Sequence, residues 1–305
     1  MSISEPLALC ADALLSEARS LTDARLEAIA GQLKGKVPAD LADAFAYALA
    51  SPGKRVRPAL VLAAYRAAGG SSPAVAGVGT AVEIVHTYSL LHDDLPCMDD
   101  DDLRRGRPTV HRRFGVRAAT RAGFLLVPVA AQVLAEAASA LELSPAVLGH
   151  LAVELFTAGG IEGMVGGQWL DLEAEQRVLD LPELIAVHRG KTGALIRASC
   201  VLGALACRAG EPSIKALEAF GADIGLAFQI ADDVLDATGT SHQLGKTAGR
   251  DAALNKSTYV RLLGVEGARA EAERLAARAV RHLDDAGLPS DALAALAHYI
   301  VTRNS

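Results

Sequence analysis

The stretches His92-Asp93-Asp94-Leu95-Pro96-Cys97-Met98-Asp99 and Gln229-Ile230-Ala231-Asp232-Asp233-Val234-Leu235-Asp236 each interrupt an apolar part of the chain with clustered aspartates. We call them the first and the second aspartate segment. Burying an uncompensated charge is costly, and neighbouring carboxylates repel one another. They stay ionised together when a multivalent cation offsets the repulsion. Because basic residues follow each segment, the simplest guest common to both is a magnesium-bound polyphosphate.

The spacing of the aspartates suits that guest. On a helix, Asp232 and Asp236 project from one face within about 6 Å of each other. Pro96 disrupts a helix, so we expect the helix that carries Asp93 to end near Leu95 and the chain to turn back with Asp99. Mg²⁺ prefers a few carboxylates together with phosphate oxygens and water, which fits two separate acidic segments.

The rest of the chain predicts an all-α fold. Apolar residues recur at intervals of three and four, as in Val78, Val82 and Val85, and no segment shows sustained alternation or an Asn-Gly or Asp-Gly hairpin turn. We expect a bundle of about ten to twelve helices around a central active-site cavity. The segment 214–235 is apolar on most faces and is expected to be a central, buried helix.

Length and charge limit the domain organisation and the partners. The chain has 305 residues and no low-complexity linker, and the two aspartate segments must meet, so we expect a single domain over residues 1–305. The net charge of −6 is largely local to the aspartate segments and the acidic residues beside them. Because the chain has no basic tail or arginine stripe with interleaved aromatics, nucleic acid is not an expected partner.

Cysteine spacing and apolar runs bear on metal content and location. The four cysteines lack Cys-x-x-Cys spacing, which argues against zinc and fits reduced thiols in the cytoplasm. The amino terminus lacks the basic region of a signal peptide, and the longest apolar stretch, near 122–135, contains Pro128 and is short for a bilayer. We expect a cytoplasmic protein without stable membrane insertion.

Basic residues stand where they could meet a polyphosphate. In Gly53-Lys54-Arg55-Val56-Arg57-Pro58, Lys54 and Arg57 lie at a break before a helix, and they converge after one turn. Lys191-Thr192-Gly193 interrupts an apolar region. The glycine-rich stretch 239–249 contains Lys246 and is expected to form a lid that closes on phosphate.

With these features together, the chain resembles the trans-isoprenyl diphosphate synthases, and among them the bacterial farnesyl type. The resemblance covers the chain from about Leu41 to its carboxyl end. The stretches that carry it are 53–58, 86–106, Gly166-Gly167-Gln168, Lys191-Thr192-Gly193, 228–236 and the stretch from Gly245-Lys246 through Lys256-Ser257-Thr258-Tyr259.

The resemblance implies a role for each matching residue. It implies three Mg²⁺ ions bound with the diphosphate, and it divides the site residues into groups. Asp93, Asp99 and Asp232 are implied metal ligands, with Asp94, Asp233 and Asp236 as further ligands or their supports. Arg104, Lys191, Lys246 and Lys256 are implied to hold the allylic diphosphate, and Lys54, Arg57, His86 and Arg105 to hold isopentenyl diphosphate. Thr192 and Gln229 are implied to aim their dipoles at the developing allylic cation, so the implied catalytic set is Lys191, Thr192, Gln229 and Lys246.

The implied reaction needs no protein nucleophile. Cations stabilise the departing diphosphate, the double bond of isopentenyl diphosphate attacks the allylic carbon, and exclusion of water protects the cation. The resemblance places the floor of the product tunnel at Tyr88 and Ser89, one turn before Asp93. We therefore expect a fifteen-carbon product, farnesyl diphosphate, with ten- and twenty-carbon products as alternatives.

The chain departs from the family's pattern at three places, none of them an implied metal ligand. Gly123-Phe124-Leu125-Leu126 replaces the usual Gly-Asp-Ala-Leu and precedes Pro128, Pro52 replaces a glycine, and Ser305 replaces a terminal lysine. These departures bear on efficiency and tunnel shape, because Phe124 could protrude toward the elongating chain.

Two other classes of protein share parts of the pattern. An isoprenoid cyclase normally carries a different second metal motif, and a noncatalytic subunit of a heteromeric synthase loses an aspartate or a basic residue. The chain shows neither mark. Homodimers are expected from the resemblance, with the apolar 118–138 region as one possible interface.

Overall fold

The computed structural model describes residues 5–174, 177–239 and 257–303. Within these ranges, regular structure is almost entirely helical, which confirms the predicted all-α fold class. Thirteen α-helices lie in this part of the chain, slightly more than expected. They are α1 Glu5–Leu33, α2 Ala39–Leu49, α3 Val56–Ala67, α4 Ala76–Asp93, α5 Val110–Phe114, α6 Val116–Ala140, α7 Pro145–Gly159, α8 Met164–Glu173, α9 Leu181–His188, α10 Ala194–Ala206, α11 Glu211–Thr238, α12 Tyr259–Asp285 and α13 Asp291–Thr302.

Shorter elements join the helices. A 3₁₀ turn, Pro73–Val75, precedes α4, and a π-helical turn, Arg189–Gly193, joins α9 to α10. Two antiparallel strands of two residues each, β1 Leu103–Arg104 and β2 Arg107–Pro108, form a small hairpin. The sequence did not predict this hairpin, because the chain has no Asn-Gly or Asp-Gly turn.

Helix α11 lies in the interior, as its apolar sequence predicts. It packs against α10 and α12, and Phe220, Ile224 and Ile230 on it are fully buried. Helices α3, α4, α6 and α10 contribute much of the main hydrophobic core, and a smaller apolar cluster lies between α9, α11 and α12. The second aspartate segment, on the last turns of α11, therefore belongs to one of the most firmly packed helices.

Helix α4 carries the first aspartate segment and ends with it. Asp93 is the last helical residue and Asp94 is the C-cap, two residues before the predicted end. The N–H of Asp99 donates to the carbonyl of Asp93 at 2.9 Å, and the N–H of Asp100 donates to the carbonyl of Leu95 at 3.1 Å. The chain thus turns back at Asp99, as Pro96 predicts.

Two helical segments, Pro73–Asp93 and Val116–Ala140, are long and apolar enough to cross a membrane by length and composition alone. Of their apolar windows, 72 % and 50 %, respectively, are buried inside the fold. The core helices of soluble proteins meet the same two criteria, so the finding is weak evidence for a membrane.

Candidate active site

Asp93 is the most perturbed carboxyl of the first aspartate segment. Burial raises the pKa of Asp93 to about 7, Lys191 opposes the rise, and Asp99 adds to it. The protein therefore holds this carboxyl where its ionised form needs a cation. This is the electrostatic situation that the sequence predicts for a metal-binding aspartate.

Asp94 is held by the protein itself. Its Oδ1 accepts hydrogen bonds from Arg104, from Nε at 2.9 Å and from Nη2 at a shorter distance. Arg104 Nη2 also donates to Asp101 Oδ2 at 3.1 Å. Burial raises the pKa of Asp94, and the guanidinium of Arg104 counteracts the rise. This pairing connects the end of α4 to β1.

The hairpin turn directs Arg105 toward the loop before α3. Arg105 and Gly106 both have positive φ, 54° and 74°, as a two-residue type I′ turn requires. Positive φ is uncommon for arginine and marks a constrained position. Arg105 Nη1 donates to the carbonyl of Pro52. A Cβ at Gly53 would lie 2.6 Å from that same nitrogen, so a side chain there would require the end of Arg105 to shift.

The loop that precedes α3 is fixed by Arg55, a residue to which the sequence assigned no role. Arg55 donates to Asp23 and Glu83, each at 2.7 Å, and to the carbonyl of Ser51 at 2.9 Å. These bonds fix the loop that carries Lys54 and the N-cap of α3, and Arg57 follows in the first turn of that helix.

Lys54, Arg57, His86 and Arg105 are brought together, as the resemblance implies. Arg57 and Arg105 both act electrostatically on His86, and Arg105 also acts on Lys54. Burial lowers the pKa of His86 well below its usual value, and the arginines lower it further. His86 is therefore a neutral imidazole at pH 7, whose N–H, rather than a positive charge, is what it can offer to an anion.

The π-helical turn carries Lys191 and Thr192 between α8 and α11. A Cβ at Gly167 would lie 1.9 Å from the backbone nitrogen of Lys191, and a Cβ at Gly225 would lie 2.7 Å from the Cα of Gly193. Both neighbouring helices approach the turn through glycines, because any side chain would displace it. Single π turns in helical segments are frequent at functional sites.

Lys191 points to the first aspartate segment and pairs with an acid that the sequence did not single out. Its Nζ donates to Asp171 Oδ2 at 2.6 Å. Burial disfavours the charged amine, but Asp171, Asp99 and Asp93 outweigh burial and raise the pKa of Lys191. Asp171 lies three residues after Gln168 on α8, a spacing that places both on one helix face.

Gln168 also faces this region. Its Nε2 donates to Asp99 Oδ1 at 3.4 Å. Its Oε1 is buried and, among the described residues, has no hydrogen-bond partner. The sequence placed Gln168 in a matching stretch but gave it no role.

Thr192 and Gln229 are in contact, as expected for two dipoles at one site. Thr192 Oγ1 donates to Gln229 Oε1 at 2.9 Å, and Gln229 Nε2 lies 3.5 Å from Asp233 Oδ1. Asp233 Oδ2 in turn accepts the backbone N–H of Tyr259 at 2.9 Å. The second segment is thus joined both to the π turn and to the start of α12.

Asp232 meets a cation from the end of the described chain. Arg303 Nη2 donates to Asp232 Oδ1, and the guanidinium lies 4.0 Å from the centre of the Phe228 ring. Asp236, one turn further along α11, is buried. Asp232 and Arg303 both act electrostatically on Lys54. The second segment therefore borders the cluster of Lys54, Arg57, His86 and Arg105.

The predicted tunnel floor lies on α4 next to an aromatic contact. Ser89 is buried, and the rings of Tyr88 and His92 meet edge to face with centroids 4.8 Å apart. His92 meets Phe124 in the same manner at 5.8 Å. Phe124 itself is 65 % exposed. Its ring therefore covers the outer side of His92.

Lys246, Lys256 and Ser305 lie outside the described residues. The expectations for the glycine-rich lid, for two of the four allylic diphosphate ligands and for the terminal lysine position rest on the sequence alone.

The residues suit Mg²⁺. The partly buried carboxyl of Asp93, with its raised pKa, and the buried side-chain carbonyl oxygen of Gln168 are hard oxygen donors of the kind that Mg²⁺ prefers. Across 5–174, 177–239 and 257–303, no group of three or more His, Cys, Asp or Glu side chains is arranged to hold an ion alone. Mg²⁺ usually takes remaining ligands from substrate phosphates and water, so incomplete protein ligation fits it.

A cavity of about 610 Å³ lies behind the π turn, on the side lined by Ile161, Trp169 and Leu170. None of the aspartates of either segment lines it. Its apolar walls and its separation from the aspartates distinguish it from the candidate active site.

The chain belongs to the polyprenyl synthetase family, whose model matches residues 38–292. It is 41 % identical over 297 residues to a farnesyl diphosphate synthase of Geobacillus stearothermophilus, covering 97 % of this chain and 99 % of the relative. It is 43 % identical over 274 residues to a heterodimeric geranylgeranyl pyrophosphate synthase large subunit of Arabidopsis thaliana, covering 88 % and 73 %.

Solved structures agree with the family assignment. A crystal structure of an FPP/GFPP synthase from Zymomonas mobilis matches with a TM-score of 0.81 and 36 % identity, over 95 % of this chain and 100 % of that chain. The resemblance drawn from the sequence is thereby confirmed at the level of the family and of its fold.

Proposed function

We propose that the protein is a Mg²⁺-dependent prenyltransferase that condenses an allylic diphosphate, dimethylallyl or geranyl, with isopentenyl diphosphate. Its relatives named farnesyl and geranylgeranyl synthases support this class of reaction. The observation that carries the proposal is Asp93, a carboxyl with a pKa near 7 beside Asp99 and within reach of the charge of Lys191. Such a carboxyl is suited to bind a cation, and that cation together with Lys191 is suited to bind an anion.

The proposed chemistry begins when the allylic C–O bond breaks and its electron pair leaves with the diphosphate. Asp93, Asp99 and Asp232 would hold Mg²⁺, which when bound would supply Lewis-acid stabilisation of that leaving group. Lys191 and Arg104 add charge from the protein. The Thr192–Gln229 pair directs its oxygen dipoles toward the allylic carbon, where positive charge develops.

The second half of the reaction forms the new C–C bond. Lys54, Arg57 and Arg105 hold the diphosphate of isopentenyl diphosphate, with the neutral His86 donating a hydrogen bond. The double bond of isopentenyl diphosphate attacks the allylic carbon, and the resulting cation loses a proton to the released pyrophosphate. Lys246 and Lys256 are proposed to complete the allylic diphosphate site, and Asp94 and Asp236 to support the metal ligands.

A product assay tests the reaction class. Purified protein is incubated with Mg²⁺, isopentenyl diphosphate and either dimethylallyl or geranyl diphosphate, and the alcohols are identified after dephosphorylation. We expect farnesol from both primers and no product when EDTA replaces Mg²⁺. A cyclised hydrocarbon would instead indicate a cyclase, and no product in any condition would indicate a noncatalytic subunit.

Product length is the finer part of the proposal. We propose farnesyl diphosphate because Tyr88 is the bulky side chain one turn before Asp93 and its ring is braced against His92. Geranylgeranyl diphosphate is the second candidate, because a relative that is 43 % identical over 88 % of the chain is named for that product.

Assembly, domain organisation and location complete the proposal. We propose a homodimer, in which the 118–138 region of α6 with its exposed Phe124 forms part of the interface. We also propose a single domain over 1–305 and a cytoplasmic location.

A further inference from the structure

Asp233 differs from its neighbour Asp232 in what its carboxylate contacts. Asp233 is 4 % exposed, whereas the side chain of Asp232 is 45 % exposed. Both oxygens of Asp233 face protein donors. Oδ2 accepts the N–H of Tyr259 at 2.9 Å and lies 3.4 Å from His188 Nε2, and Oδ1 lies 3.5 Å from Gln229 Nε2.

One end of this network orients the pair that faces the allylic carbon. Because Gln229 Nε2 is directed to Asp233, its Oε1 is directed to Thr192. A carboxylate accepts hydrogen bonds and does not donate, so only this orientation of the amide suits Asp233. Without that acceptor, the Gln229 amide could rotate and present its N–H₂ group to the developing cation.

The other end fixes the start of α12. Tyr259 is the first residue of that helix, and its ring stacks on His188 with centroids 5.8 Å apart and planes inclined by 18°. The neighbouring Ser257 accepts the N–H of Leu179 at 2.9 Å. His188 immediately precedes the π turn that carries Lys191 and Thr192. Asp233 therefore links α11, the π turn and α12 at one point.

We propose that Asp233 is a positioning residue and not a metal ligand. It holds the Gln229–Thr192 pair in its productive orientation and anchors the amino end of α12. The positioning part of this inference rests on the proposed prenyl transfer, whereas the anchoring part does not.

The test compares Asp233→Asn with Asp232→Asn, the same substitution at adjacent positions. Hydrogen exchange is measured in the metal-free full-length protein on peptides that cover 257–263. We expect exchange there to rise on the order of tenfold in Asp233→Asn, because a neutral amide is a weaker acceptor than a carboxylate. Asp232→Asn should leave this exchange unchanged. Unchanged exchange in Asp233→Asn would overturn the anchoring role, whatever reaction the protein catalyses.

Magnesium affinity separates positioning from ligation. Calorimetric titration of Mg²⁺ in the presence of an unreactive allylic thiodiphosphate should give an affinity within about threefold of wild type for Asp233→Asn. For Asp232→Asn, the loss should be on the order of tenfold or more. A loss in Asp233→Asn equal to that in Asp232→Asn would make Asp233 a ligand and overturn the proposal.

Kinetics supply the third readout. Asp233→Asn should lower kcat on the order of 10–100-fold with little change in KM for isopentenyl diphosphate, because the dipoles act in the transition state. Combined with Gln229→Met, the two losses should be clearly less than additive, since both act through the same amide. Additive losses would contradict positioning through Gln229.

A second variant guards against misfolding of Asp233→Asn. His188→Phe keeps an aromatic ring next to Tyr259 but removes the nitrogen near Asp233. It should raise exchange in 257–263 in the same direction, with Mg²⁺ affinity unchanged. If neither Asp233→Asn nor His188→Phe raises exchange in 257–263, Asp233 does not anchor the start of α12.

Discussion

The two aspartate segments share the order Asp-Asp but are built differently. The first lies where α4 ends and the chain turns back, and the second lies within the regular turns of α11. In both, the second aspartate of the pair is held by the protein, Asp94 by Arg104 and Asp233 by the N–H of Tyr259. In both places, therefore, the second carboxylate of an identical dipeptide is bound to the protein scaffold.

The segments differ in how the charge of the first aspartate of each pair, Asp93 or Asp232, is balanced. Asp93 is partly buried, and its pKa is raised to about 7, so ionising this carboxyl costs free energy when no cation is bound. Asp232 is more exposed and is paired with Arg303. Of the two carboxylates, Asp93 therefore has more to gain from a bound divalent cation.

The largest expected effect comes from removing the charge of Asp93. Asp93→Asn should lower kcat/KM for prenyl transfer on the order of 10³-fold, equivalent to about 4 kcal/mol of transition-state stabilisation. Steady-state kinetics across a range of Mg²⁺ concentrations measure it. Asp100→Asn, in the same loop but exposed, is the matched control and should stay within about twofold. Equal losses in both variants would mean that the loop, rather than the carboxylate, is what matters.

The next largest effect should come from the π turn, which is hydrogen-bonded to the second segment and acts electrostatically on the first. Gly167→Ala would place a Cβ 1.9 Å from the nitrogen of Lys191 and displace the turn. We expect activity to fall on the order of 10–100-fold and stability to fall by about 1–3 kcal/mol. Denaturant unfolding and kinetics measure the two effects.

The matched control for that substitution is Gly149→Ala on α7, where a Cβ would meet nothing within 4 Å. It should raise stability by about 0.5–1 kcal/mol, because alanine is the better helix former. If Gly167→Ala behaves like Gly149→Ala, the close approach of α8 does not position Lys191.

A smaller effect concerns stability and pH in the absence of Mg²⁺. A carboxyl whose pKa rises from 3.8 unfolded to about 7 folded destabilises the protein fully above pH 7, and this cost disappears as pH falls toward 4. Asp93→Asn should therefore stabilise the metal-free protein by roughly 2–4 kcal/mol at pH 8 and by much less at pH 5. Urea unfolding in EDTA at both values measures the difference.

Asp232→Asn provides the contrast in the same experiment. It leaves the buried guanidinium of Arg303 without its carboxylate, so it should destabilise the protein at pH 8 by about 1 kcal/mol. Stabilisation by both substitutions would mean that the two segments are balanced in the same way after all.

The sequence predicted the parts of the site that depend on local pattern. Helical periodicity predicted an all-α fold and a buried α11, and Pro96 predicted the reversal after α4. The resemblance to the trans-isoprenyl diphosphate synthases grouped Lys54, Arg57 and Arg105 in one diphosphate site, because they lie in the stretches that carry the resemblance. The structure places these three side chains near one another.

The parts that the sequence did not predict depend on long-range geometry. The partner of Asp233 is a backbone N–H, which every residue but proline has, so no residue type marks it. Arg303 reaches Asp232 only because α13 packs back on α11. The π turn depends on Gly167 and Gly225, which lie far apart in the chain. They come close to the turn only when α8 and α11 are packed against it.

The smallest effect on rate, and the most specific one, should come from substituting Tyr88. This residue precedes the first aspartate segment on α4. Tyr88→Ala removes the ring that is braced against His92 and should lengthen the main product from fifteen to twenty carbons or more, with kcat within about tenfold of wild type. Chromatography of the dephosphorylated products measures the length.

The control is Phe124→Ala. The Phe124 ring meets the other side of His92 and is largely exposed, so removing it should leave product length unchanged. If Phe124→Ala lengthens the product and Tyr88→Ala does not, the growing chain passes between α4 and α6 on the outer side of His92. The departure Gly123-Phe124 would then set the product length in place of Tyr88.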